Sequence, residues 1–111
     1  MTESDTALEM GTGDVRVLST PRVVELCERA TLRALADGVG EGWTSVGFRI
    51  EVTHLAPISV GSSVVAVATL DRCEGKRLLF NVSVSDRCGL VAAGRVTRVL
   101  VETAAFIEKA R

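Results

Sequence analysis

The sequence predicts an α+β domain in which a curved antiparallel sheet wraps around one long helix. Two observations carry that expectation. Only one stretch, Thr20 to Gly38, has apolar residues at helical spacing over several turns; four later segments show the two-residue alternation of strands joined by tight turns. A lone helix with a single apolar stripe can neither fill a barrel nor bridge two sheets, so the sheet must curl over it.

Residues 1–13 are polar, rich in small side chains and run into "GTGD" (11–14), which reads as a flexible lead-in to a domain spanning 14–111. A short strand is expected from Asp14 to Leu18. At "STPRVVELCERATLRALADG" the period changes: Thr20 can cap a helix, Pro21 suits its first position and Gly38 its stop. Val23, Leu26, Cys27, Ala30, Ala34 and Leu35 form the stripe of a helix about five turns long. The glycines of "GVGEGW" follow this helix and precede a strand. That is the reverse of a dinucleotide-binding loop, so they read as a flexible link.

The next strand lies in "SVGFRIEVTHLAP", residues 45–57, where Val46, Phe48, Ile50 and Val52 alternate with Gly47, Arg49, Glu51 and Thr53. His54, the only histidine, ends the apolar series. After the punctuation of "APISVGSS", the segments "VVAVATLDRC" and "RLLFNVSVSD" form a hairpin through "EGK", with Gly75 at the tip. In the second of these, Leu78, Phe80, Val82 and Val84 point to the core. "RCG" turns into the last strand, "LVAAGRVTRVLV", and a short helix is expected from Thr103 to Lys109.

Composition excludes several classes. The 111 residues suffice for one domain with a real core. An apolar fraction of 47% and a mean hydropathy of +0.30 exceed what so small a body buries alone, which predicts an oligomer. Thirteen basic against fourteen acidic residues, a net charge of −1 and a pI near 5.8 leave no electrostatic footprint for nucleic acid or an anionic membrane. Cys27, Cys73 and Cys88 lack any CxxC or Cys/His spacing, so neither a disulfide framework nor a metal site is expected. The acidic opening "MTESDTALEM" does not resemble a signal peptide, and no run approaches the ~18 apolar residues of a membrane span. The expectation is a soluble, cytoplasmic protein.

Three residues stand out for chemistry, each with an ordinary reading beside it. His54 closes an apolar row, where a histidine is more often a satisfied rim residue than a catalyst. Glu28 sits beside Cys27 on a helix that must be largely buried, and a carboxylate there needs a partner. Thr20, before Pro21, reads on spacing alone as a helix cap.

The segments "VLSTPRVVELCERA" (17–30), "TSVGFRIEVTHLAPISVG" (44–61) and "GRVTRVLV" (94–101) give these residues a shared context. In them the chain resembles the hotdog-fold thioesterases similar to fluoroacetyl-CoA thioesterase. The resemblance implies that Thr20, Glu28 and His54 form the catalytic group, that the Gly47 backbone lies near the acyl carbonyl, and that Arg98 lies near the coenzyme A end. The family's last strand often reads Gly-x-His-x-Arg, whereas this chain has Gly94, Arg95, Val96, Thr97, Arg98 and no second imidazole. Nor is there a phenylalanine before Phe48 to gate the pocket ahead of the helix, so specificity for fluoroacetate is not carried over.

What the resemblance implies is an acyl-CoA thioesterase acting on small or medium acyl groups, with coenzyme A entering only as part of the substrate and no separate cofactor or metal. Eight helical residues rise ~12 Å, so Thr20 and Glu28 cannot touch within one straight helix. A homodimer with its sites at the subunit interface is therefore expected, and its dimers can pair into a tetramer. Two other classes predict different behaviour: a non-catalytic hotdog protein that binds acyl-CoA or another small hydrophobic ligand, and a structural dimer with a vestigial pocket.

Overall fold

A computed structural model describes residues 1–110. Four strands, β1 (Trp43–His54), β2 (Val65–Glu74), β3 (Arg77–Asp86) and β4 (Gly89–Glu102), form one antiparallel sheet in the order β1-β4-β3-β2. The three later strands follow one another through hairpins, and β1, arriving from the helix, adds to the outside of β4. Both β1 and β2 are therefore edge strands. The helices are α1 (Ala7–Met10), α2 (Thr20–Ala34) and α3 (Thr103–Glu108). The expected α+β fold, a sheet curved around one long helix, is the fold observed.

Along α2 the expected stripe holds in its first three turns: Val23, Cys27 and Ala30 are buried, and Val23 and Cys27 share a core cluster with Leu78, Phe80, Val82, Val84 and Val96 from the sheet. Burying each Val or Phe contributes about 1.5–3 kcal/mol. Thr31 joins this face because its hydroxyl donates to the Glu28 carbonyl at 2.6 Å, which removes the cost of burying it. The helix stops at Ala34, before Gly38, and Ala34 is exposed.

The start of α2 also differs from the expectation. Ser19, not Thr20, caps it, its hydroxyl accepting from the Arg22 amide at 3.3 Å, and Thr20 is the first helical residue. That shift frees the Thr20 side chain.

Strand β1 does not keep one alternation. Gly47 is opposite Arg98 and Arg49 opposite Thr97, so Phe48 is an extra residue, a β-bulge. The bulge exchanges the faces: Ser45 and Gly47 before it share the inner face with Ile50, Val52 and His54 after it. The single row of Val46, Phe48, Ile50 and Val52 is thus corrected. Phe48 lies 57% exposed, with the Arg77 guanidinium 4.7 Å from its ring centroid. Farther along, β1 crosses β4 so closely at Gly94 that a Cβ there would lie 2.7 Å from the Val52 Cα. Only glycine fits.

Residues 1–13, expected as a flexible lead-in, form two short helical elements. A 3₁₀ turn at Glu3–Asp5 and α1 fold back on the start of the long helix: the Ala7 amide donates to the Val17 carbonyl at 2.9 Å, and the Ser19 amide to that of Asp5 at 2.9 Å. Thr6 is fully buried and its hydroxyl donates to the Glu3 carbonyl at 2.8 Å. Small and polar residues read as disordered when their hydrogen-bond partners are distant in sequence. In place of the strand expected at Asp14–Leu18 there are single bridges, Thr6 to Leu18 and Val17 to Ser59.

Candidate active site

Thr20, released from capping, turns its hydroxyl toward β1, where its Oγ1 lies 3.0 Å from His54 Nδ1. Either atom can donate, and the choice sets whether Nε2 is acceptor or donor. Nε2 itself is buried with no partner among the described residues, an uncommon state for a ring nitrogen and one a substrate would relieve. Beside this pair lies a cleft of about 390 Å³ walled by Ala7, Gly13, Val15, Leu18 and Pro57. Its mostly small, apolar lining suits an acyl group better than a charged one.

Two helical turns farther on, Glu28 points at the other end of the inner face of β1. Its Oε2 is 3.4 Å from Arg98 Nη1, and a Cβ on Gly47 would come within 2.9 Å of the same oxygen. The arginine is 5% exposed; Nε donates to the Ser45 hydroxyl at 2.8 Å and Nη2 to the Ser45 carbonyl at 3.0 Å. Burying a guanidinium needs such full pairing, and the carboxylate supplies the counter-charge. The Glu28 side chain is 37% exposed, and its other oxygen makes no hydrogen bond among the described residues. This is the partner that a carboxylate on a buried helix required.

The structure thus forms two pairs, Thr20–His54 and Glu28–Arg98, but does not bring them together within one chain. Thr20, Val24 and Glu28 form a single i, i+4, i+8 row, separated by the rise of the helix. On the sheet, Gly47 and His54 face Arg98 and Ala92, six β4 residues apart, so about 20 Å of strand separates the two ends. Both pairs line β1, the free edge. Because α2 packs mainly over β2 and β3, the inner side of β1 stays open, with Ile50 and Val52 only half-buried.

Ser45 and Val24 went unremarked in the sequence. The "TSVG" segment hid Ser45, because an unbroken alternation places it with the outward-facing polar residues. Val96, at the position of the family's second imidazole, is a fully buried core residue opposite Ile50. Among the described residues no group of His, Cys, Asp and Glu has the arrangement of a metal site, and no helix is long and apolar enough to cross a membrane.

Comparison with solved structures places this architecture. A thioesterase superfamily member from Thermus thermophilus superposes with a TM-score of 0.90 at 27% identity, over 97% of this chain and 80% of that one. A hot-dog-like protein from Thermanaerovibrio acidaminovorans gives 0.89 at 32%, over 98% and 81%. A mutant of the fluoroacetyl-CoA-specific thioesterase in complex with fluoroacetate and CoA gives 0.89 at 28%, over 96% and 90%. With a carboxylate and an imidazole along an open strand, the molecule is a thioester hydrolase of the hotdog fold. The fluoroacetyl-CoA thioesterase of Streptantibioticus cattleyicolor is 35% identical over 95 residues, 86% of this chain and 68% of that protein. The chain belongs to the fluoroacetyl-CoA-specific thioesterase family, whose model matches residues 1–104.

Proposed function

We propose that this protein hydrolyses small or medium acyl-CoA thioesters in the cytoplasm as a homodimer, each site taking Glu28 from one copy and the Thr20–His54 pair from the other. One observation carries the reading: both pairs lie on the inner face of a free edge strand, at opposite ends. Antiparallel pairing of two β1 strands about a twofold axis at Glu51, midway between Gly47 and His54, sets the Gly47 end of one copy against the His54 end of its partner. Two equivalent sites follow.

In such a site the Glu28 carboxylate takes a proton from water as the water oxygen bonds to the acyl carbon, and the Thr20–His54 pair donates to the carbonyl oxygen as it gains charge. Collapse of the adduct breaks the C–S bond, and the leaving thiolate takes the proton. The same carboxylate could instead attack the carbonyl and form an anhydride that water then opens. Label in Glu28 after a single turnover in ¹⁸O-water identifies an anhydride opened by water at the Glu28 carbonyl carbon, since the general-base route places label only in the product acid. Neither route calls for a separate cofactor.

The cleft beside His54 is the proposed acyl site, and the small residues lining it support acyl groups larger than fluoroacetyl. Thiol release measured over a panel of acyl-CoAs, from two to eight acyl carbons, tests the reading. Turnover is expected, and replacement of Glu28 by Gln is expected to lower kcat at least a hundredfold in a folded protein. Saturable binding of CoA esters without thiol release would establish the non-catalytic alternative, for which the absence of a second imidazole at Val96 is the motive.

A further inference from the structure

Arg98 was expected near the coenzyme A end of the site, yet it lies inside the protein with Nε, Nη1 and Nη2 each engaged. Two of these three contacts go to one residue. Ser45 is itself 9% exposed, and it holds the guanidinium from its hydroxyl and its backbone carbonyl together. That leaves Nη1 aimed at Glu28 Oε2. We propose that Ser45 is a positioning residue for thioester hydrolysis: it clamps Arg98 in one orientation, and Arg98 in turn holds one oxygen of the Glu28 carboxylate while the other stays free to act. The inference rests on the reading of Glu28 as the catalytic carboxylate.

The geometry requires such a clamp. Arg98 reaches Glu28 from β4, beside its β1 partner Gly47, through a long side chain with four rotatable bonds, and without a second anchor it would sample several orientations. The bulge at Phe48 makes the anchor possible. It is what puts Ser45 and Gly47 on the same face as Ile50, Val52 and His54, so that a polar side chain stands beside Arg98 and a bare Cα beneath Glu28. With Gly47 closing one side and Arg98 the other, the carboxylate has one resting place.

The test is kinetic, by thiol release from the best acyl-CoA substrate, at a temperature where circular dichroism shows every variant folded. Ser45→Ala is expected to lower kcat about tenfold or more with KM within twofold, because a displaced carboxylate fails in the chemical step rather than in binding. Ser45→Thr keeps the hydroxyl and is expected to return kcat to within about threefold of the wild type. In an Arg98→Met background, Ser45→Ala is expected to cost less than about twofold more, since a residue acting through Arg98 has nothing left to act on. Should Ser45→Ala fail to fold, Ser45→Cys carries the same criterion. A kcat within twofold of wild type in Ser45→Ala, a loss undiminished in the Arg98→Met background, or equal losses in the Ala and Thr variants would each overturn the proposal. Glu28→Gln, assayed alongside, separates the two levels: if it is dead while Ser45→Ala is unimpaired, only the clamp is wrong; if it is active, the reading of Glu28 is wrong.

Discussion

At the scale of single residues, the placement of one oxygen of Glu28 decides most of the chemistry. Gly47 is small because that oxygen needs the room, so Gly47→Ala should push the carboxylate off Arg98 without disturbing the strand. A loss in kcat of about ten- to a hundredfold with an unchanged melting temperature is expected, and full activity would show that the carboxylate does not need this seat. Thr20, Glu28, His54, Gly47 and Arg98, on which the proposed site rests, stand in three sequence segments at recognisable spacing. Their surroundings were less legible. Spacing reads Thr20 as a cap, a place Ser19 takes, and it does not show that Arg98 is buried against Ser45 and Glu28. Ser45 was invisible to periodicity, since a bulge two residues away reverses which face it occupies and no local composition announces a bulge.

At the scale of elements, apolar periodicity located α2 and all four strands, because each buries one face against the others. β3 matches its expected span end to end. What periodicity missed is held by polar contacts between distant residues. The 3₁₀ turn of residues 3–5 is fastened to α2 by Asp5, whose carboxylate lies 3.0 Å from Arg22 Nε. A hydrogen bond from the Thr2 amide above all, then the Thr2 hydroxyl and the Arg22 charge, holds the Asp5 carboxyl below its ordinary range against the opposing cost of burial. A lowered carboxylate pKa stabilises the folded segment above the unfolded value near 4, and that contribution is lost as pH falls through the lowered one. Amide exchange in residues 3–10 should therefore accelerate relative to β3 as pH drops below about 4, and Asp5→Asn should remove the pH dependence. Exchange that rises equally in both regions would assign the effect to global unfolding.

At the scale of the whole molecule, the apolar surplus in the composition has a location. At β1, Phe48 and the following Leu55 are more than half exposed, and the strand presents twelve residues of unpaired edge. A long open edge invites pairing, and a second copy supplies it most simply. Opposite residues at the centre of an antiparallel pair have Cα atoms about 4.5–5.5 Å apart, within disulfide range. Glu51→Cys, with Cys73 and Cys88 replaced by Ser, should accordingly form a covalent dimer under mild oxidation. A covalent dimer formed equally well by a cysteine at Arg49 would place the axis elsewhere.

Mixing two inactive variants tests the shared site most directly. Glu28→Gln and His54→Ala homodimers are each expected to be inactive; after unfolding and refolding together, half of the dimers are mixed, and each mixed dimer holds one site with both native groups, so roughly a quarter of wild-type thiol release should return. If each chain instead carries its own complete site, every site in the mixture keeps one lesion, and no recovery above the separate variants would contradict the account.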